Sequence, residues 1–131
     1  MTAMAYPALA TLLAVFLYSV LMMNAGRCRG KYGIAAPAVT GHEGYERAYR
    51  TQMNTLEHMM VFLPALWLFA YTVDATWAFG LGLLWIAGRI AYAIAYLKNP
   101  KKRGPGLIVA FITQAILLLG ALYGVALLFV K

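Results

Sequence analysis

Residues 47–58 read Arg47-Ala48-Tyr49-Arg50-Thr51-Gln52-Met53-Asn54-Thr55-Leu56-Glu57-His58, and an almost purely apolar run follows from Met59 to Val73. That run is too short to cross a bilayer by itself, because a spanning helix needs about 20 residues. Part of the polar stretch must therefore share the helix and sit at membrane depth. Ionisable groups held there are costly and point to function.

The surrounding composition agrees with a membrane setting. The chain has 131 residues, of which 63% are hydrophobic and 11% charged, and its mean hydropathy is +0.73. A soluble domain of this size could not cover so much apolar surface, so an integral membrane protein of one domain, residues 1–131, is expected. The formal net charge is +7, and ten of the eleven basic residues lie between Arg27 and Arg103, at the ends of apolar segments. The aromatics sit inside the apolar runs rather than among the basic residues, which argues against nucleic acid and for membrane orientation plus an anionic ligand. Cys28 is the one cysteine. It has no partner set for zinc and reads as an interfacial thiol. The N-terminal run lacks a basic leading region and reads as a retained helix rather than a signal peptide.

Four spans emerge, at roughly Tyr6–Asn24, Tyr45–Val73, Thr76–Leu97 and Gly106–Val130. The fold class is therefore all-α, a four-helix membrane bundle. Asp74 lies in a very short connection, so spans two and three form an antiparallel pair. The expected loop from Ala25 to Gly44 carries Arg27, Arg29 and Lys31, and the loop from Lys98 to Pro105 carries Lys98, Lys101, Lys102 and Arg103. Both loops fall on one side of a four-span chain, and the positive-inside rule places that side in the cytoplasm.

Arg47, Arg50, Asn54 and Glu57 are spaced 3, 4 and 3, which puts them on one helical face. Such a stripe must face a neighbouring helix, a subunit interface or a wet cavity rather than lipid. Gln52 and His58 point elsewhere on the same turns. The bland alternative is that Glu57 pairs with an arginine only to order the bundle. Arg89 on span three is about 12 Å from its basic end, and Glu57 is about 15 Å from Arg47. Depth matching therefore expects a Glu57–Arg89 ion pair. Arg47 can snorkel to headgroups, whereas Arg50 lies one turn deeper and suits a carboxylate.

Arg89, Tyr92 and Tyr96 are spaced 3 and 4 and share a face that continues to Arg103. The tyrosines could be interfacial belt residues, and Lys101 and Lys102 are explained as a topological charge cluster. Together the two stripes describe one cavity at the basic interface, with arginines, an amide, a carboxylate and two phenols against apolar walls. That chemistry suits a small carboxylate-bearing anion beside an apolar co-substrate. A guanidinium aimed at a sulfur would favour its thiolate.

The run from Glu46 to Glu57, followed by Phe62-Leu63-Pro64-Ala65-Leu66-Trp67, resembles the signature of the MAPEG superfamily, the membrane-associated proteins in eicosanoid and glutathione metabolism. Gly88-Arg89-Ile90-Ala91-Tyr92, then Tyr96 and Arg103, resembles the third-span pattern of its microsomal glutathione transferases. The resemblance implies a homotrimer that binds glutathione between subunits at the cytoplasmic side. It implies that Arg50, Asn54, Glu57, Tyr92 and Tyr96 hold the tripeptide and that Arg103 stabilises its thiolate. Arg89 and Gln52 match positions near the ligand or the interface, and Arg27 or Arg29 supplies a further basic contact. His58 stands where close relatives carry a tyrosine, which favours detoxifying chemistry over a lipid-mediator role.

The expected function is a membrane glutathione transferase acting on apolar electrophiles, with reduction of lipid hydroperoxides as a second activity. A non-catalytic lipid- or glutathione-binding protein on the same scaffold is the alternative. A proton-coupled exporter built on Glu57 fits less well, because several cations surround that carboxylate.

Overall fold

The computed structural model describes residues 2–131. Four long helices carry the fold: α1 (Ala5–Tyr32), α2 (Glu43–Thr72), α3 (Ala75–Lys98) and α4 (Gly104–Phe129). Short 3-10 turns occupy Thr2–Met4 and Pro100–Lys102, and no strand occurs among the described residues. The central pair is α2 and α3. Each packs on the other and on both α1 and α4, so α1 and α4 flank the pair from opposite sides.

The helix ends follow local chemistry. His42 caps α2 by accepting the Gly44 N–H on Nδ1 at 2.9 Å. Asp74 caps α3 by accepting the Trp77 N–H at 2.8 Å. Only Val73 and Asp74 separate α2 from α3, which makes the two antiparallel neighbours as expected.

The first helix departs from expectation. It continues through Arg27, Arg29 and Lys31 to Tyr32, so these cations lie on α1 rather than in a loop. Their polarity suggested a loop, but Arg29 and Lys31 in the last turn complement the partial negative charge of the helix C-terminus. The stop is Gly33, in the left-handed region at φ 66°, where the lack of a Cβ removes the steric cost.

Helices α1, α3 and α4 are each long and apolar enough to cross a membrane, at 28, 24 and 26 residues. At about 1.5 Å per residue even α3 reaches the thickness of a hydrocarbon core. Helix α2, at 30 residues, has the length, but its first half carries the polar stripe. Outward-facing side chains such as Phe16, Met23, Met60, Trp77 and Leu119 are large, apolar and exposed. A surface of this kind belongs in lipid, and the chain is an integral membrane protein.

Inside the bundle, Phe62 stacks on Trp85 with ring centroids 3.9 Å apart and planes 4° from parallel. Around them pack Met59, Leu66, Phe69 and Leu117, all buried. A smaller cluster at the basic end joins Ala25, Cys28, Tyr45 and Ala48. Cys28 is thus buried among apolar neighbours rather than lying open at the interface. The closest approach of one helix backbone to another at a glycine joins α3 to α4. A Cβ on Gly106 would stand 2.5 Å from the Tyr92 backbone nitrogen and 2.7 Å from the Gly88 carbonyl oxygen. Only glycine permits that approach, and it fixes the height of Tyr92 against α4.

Candidate active site

The face expected from the spacing exists, but its partners differ from the expected ones. Arg50 and Glu57 form an ion pair with each other at 3.0 Å. Arg89 does not reach Glu57. Its NH2 nitrogen donates to Asn54 Oδ1 at 2.7 Å and to Thr55 Oγ1 at 2.8 Å. The reason is azimuth. Depth matching put Arg89 and Glu57 at similar height, but Thr55 and Glu57 are two residues apart and so about 200° apart around the helix. Arg89 approaches α2 from the Thr55 side, and Glu57 looks outward.

Arg89 is fully buried. Its Nε and NH1 atoms have no hydrogen-bond partner among the described residues. The guanidinium carbon instead lies 4.3 Å from the Tyr92 ring centroid and 5.9 Å from that of Trp85. Aromatic faces of this kind partly compensate a cation that no carboxylate meets. Tyr92 is buried, and its ring tilts against Tyr96 at 5.5 Å.

Arg50 and Tyr96 line one groove of about 380 Å³ at the basic end, together with Val39, Glu43, Glu46, Arg47, Tyr49 and Pro100. Arg47 pairs with Glu43 and donates to the Lys98 carbonyl at 3.1 Å, so it ties the start of α2 to the end of α3. Arg103 is exposed and donates to the Pro100 carbonyl at 2.9 Å. It hangs from a wall of the groove without lining it, and within this chain it does not meet Arg50.

Of the two candidate arginines on α1, Arg29 is committed to the fold. It donates to the carbonyls of Ile34 at 3.3 Å and Ala38 at 2.8 Å and to the Tyr45 hydroxyl, clasping the α1–α2 loop. Arg27 is exposed and donates to Asn24 Oδ1 at 2.9 Å. Gln52 Nε2 donates to the Tyr18 hydroxyl at 3.1 Å, joining α2 to α1.

His58 turns toward α4, where its Nδ1 lies 3.3 Å from Gln114 Oε1. The same oxygen accepts from Trp85 Nε1 at 3.1 Å. Indole is only a donor, so the amide must present its oxygen here, and the His58 Nδ1 then carries the proton. Thr51, Thr55 and Gln114 are buried polar residues that the reading of the sequence did not single out. A signal existed for two of them. Thr51 and Thr55 fall in register with Ala48, Met59 and Phe62 on the buried face of α2. Each hydroxyl donates to the carbonyl one turn back, Thr51 to Arg47 and Thr55 to Thr51.

A second groove, of about 470 Å³, runs between α2 and α4. Its lining is apolar and includes Met60, Pro64, Leu68, Leu118 and Leu122.

Comparison with known proteins gives the chain its kin. An uncharacterized protein of Synechocystis sp. is 48% identical over 124 residues, covering 95% of this chain and 90% of the relative. Microsomal glutathione S-transferase 2 of Homo sapiens is 37% identical over 105 residues, covering 79% of this chain and 71% of the relative. Leukotriene C4 synthase of Cavia porcellus is 30% identical over 93 residues, covering 71% of this chain and 62% of the relative. The MAPEG family matches residues 7–123, which takes in α2 and α3, most of α1 and α4, and both stripes. A helical membrane bundle with this polar face on its second helix, so matched, belongs to the MAPEG family.

Proposed function

We propose that the chain is a membrane glutathione transferase whose site is built on the outward face of α2 and the basic end of α3. The observation that carries this reading is the Arg50–Glu57 pair, with Asn54 between them in sequence on the same face. Cation, amide and carboxylate in line match a ligand that carries carboxylates, peptide groups and an ammonium. Glutathione has all of these, and the names of the transferase and synthase relatives support it.

Arg50 takes a ligand carboxylate in bidentate fashion, and Glu57 takes the ammonium. Tyr92 and Tyr96 hold the peptide from the α3 side, and Arg27 supplies a further cation from α1. Gln52 and His58 support the site from behind through Tyr18 and Gln114. Arg103 faces the sulfur and holds it as thiolate. The thiolate attacks an electrophilic carbon, a sulfur–carbon bond forms, and the leaving group departs with its electron pair. With a lipid hydroperoxide, the thiolate attacks oxygen and the O–O bond breaks. A proton completes the alcohol, and a second glutathione converts the sulfenic acid to disulfide and water.

The apolar groove between α2 and α4 supports an apolar second substrate arriving from the bilayer. Arg50 and Glu57 are about half exposed, at 49% and 55% of their side chains. Charges on that face cannot meet lipid, so a second copy of the chain walls it off from the bilayer and leaves a wet cleft between them. That supports an oligomer with sites between subunits, a trimer in keeping with the family resemblance. The basic ends of the helices face the cytoplasm by the positive-inside rule.

The experiment is conjugation of glutathione to chlorodinitrobenzene by the purified protein in nanodiscs. Turnover that falls on Arg103→Ala supports the reading. Glutathione binding without turnover on any electrophile would make the chain a binding protein on the same scaffold.

A further inference from the structure

We propose that Arg89 is a positioning residue that fixes which end of the Asn54 amide meets the ligand. The proposal rests on the glutathione reading above. A guanidinium has no acceptor atom, so the 2.7 Å contact with Arg89 requires the carbonyl end of the Asn54 side chain to face inward. The amino end is then directed away from the guanidinium, toward the outer face that carries Arg50 and Glu57. Asn54 therefore offers the ligand N–H donors only. The ligand atom it receives is an acceptor, a peptide carbonyl or carboxylate oxygen, and an ammonium or thiol hydrogen is refused at this point.

Three features keep the amide from flipping. Arg89 is fully buried and cannot swing out. The second hydrogen of its NH2 group is held by Thr55 Oγ1 at 2.8 Å, and that hydroxyl is itself oriented by donation to the Thr51 carbonyl at 2.8 Å. The Tyr92 ring lies against the guanidinium at 4.3 Å, on a stretch of α3 locked to α4 by the close approach at Gly106. No carboxylate pairs with Arg89 among the described residues. Its charge therefore stays behind the amide and polarises the N–H groups toward an anion. A flipped amide would turn its amino group onto a buried cation and leave its oxygen facing the ligand.

The test is a double-mutant cycle read as glutathione affinity by calorimetry in nanodiscs. Arg89→Met is expected to weaken glutathione binding about tenfold in the wild-type background, the scale of a charge-assisted hydrogen bond. In an Asn54→Ala background the same change should weaken it less than about twofold, because the residue through which Arg89 acts is gone. Arg89→Lys, which keeps a donor and the charge but loses the planar stack on Tyr92, should bind more tightly than Arg89→Met. Equal losses in both backgrounds would overturn the proposal and leave Arg89 as bundle packing. Asn54→Asp carries the test if Arg89→Met does not fold. Its carboxylate keeps the contact with Arg89, so the melting temperature should not fall, but it turns an acceptor to the ligand and should cost about tenfold in affinity. Wild-type affinity in Asn54→Asp would also overturn the proposal. Absence of glutathione binding by the wild type itself would instead remove the functional reading on which the proposal stands.

Discussion

Arg50 and Glu57 meet at 3.0 Å along the outer face of α2, seven residues and about two turns apart. Without ligand, each neutralises the other. A ligand that carries both a carboxylate and an ammonium can replace both halves of the pair at once. A half-exposed ion pair contributes only about 0–1 kcal/mol, so opening it costs little. Glu57→Gln should therefore leave the melting temperature within about 4 °C of wild type, in keeping with a contribution that small. It should weaken glutathione binding about tenfold through the lost charge-assisted contact. Calorimetry and thermal melts on one preparation check both halves.

The two arginines of α1 should separate cleanly. Arg29→Ala removes the donor to the Ile34 and Ala38 carbonyls and to Tyr45, so amide hydrogen exchange across residues 34–45 should accelerate. Arg27→Ala should leave that exchange unchanged and raise the KM for glutathione by about threefold, as expected for one solvent-facing charge contact. The opposite assignment would appear as fast exchange in the Arg27 variant.

Gly106→Ala forces a methyl group to within 2.5 Å of the Tyr92 nitrogen and 2.7 Å of the Gly88 oxygen. Both neighbours are backbone, so α3 and α4 must separate. A destabilisation of about 1–3 kcal/mol is expected from overpacking. Tyr92 moves with α3, so glutathione affinity should fall as well. A variant with wild-type melting temperature would contradict the close helix contact.

Gln114→Leu leaves the Trp85 indole N–H without an acceptor in a fully buried site. The expected cost is about 1–3 kcal/mol. The imidazole of His58 loses the partner that fixes its proton on Nδ1. A lower melting temperature with a shifted His58 ring signal by nuclear magnetic resonance is the outcome to look for.

The sequence carried the fold well where periodicity and length speak directly. The apolar runs implied four helices, and Asp74 implied the tight α2–α3 pair. The 3-4-3 spacing implied the face of Arg50, Asn54 and Glu57. What it could not carry was rotation of one helix against another. Similar depth made Glu57 a reasonable partner for Arg89, but depth says nothing about which side of α2 faces α3. Thr55, two residues from Glu57 and nearly opposite to it, is what Arg89 meets. The extent of α1 was lost for a related reason. Arg27, Arg29 and Lys31 look like loop residues by polarity, yet the left-handed Gly33 is what ends the helix. The partners of Arg29 and His58 depend on loop closure and on α4, which spacing along a single helix does not reveal.

In the proposed site the protein binds glutathione and holds it as thiolate against Arg103. The most direct measurement is the ultraviolet difference spectrum on mixing purified protein with glutathione at neutral pH, below the ordinary thiol pKa of about 8.5. A thiolate absorbance that saturates with glutathione and is lost in Arg103→Ala is the expected result. A wild-type protein that binds glutathione and develops no thiolate band would contradict it.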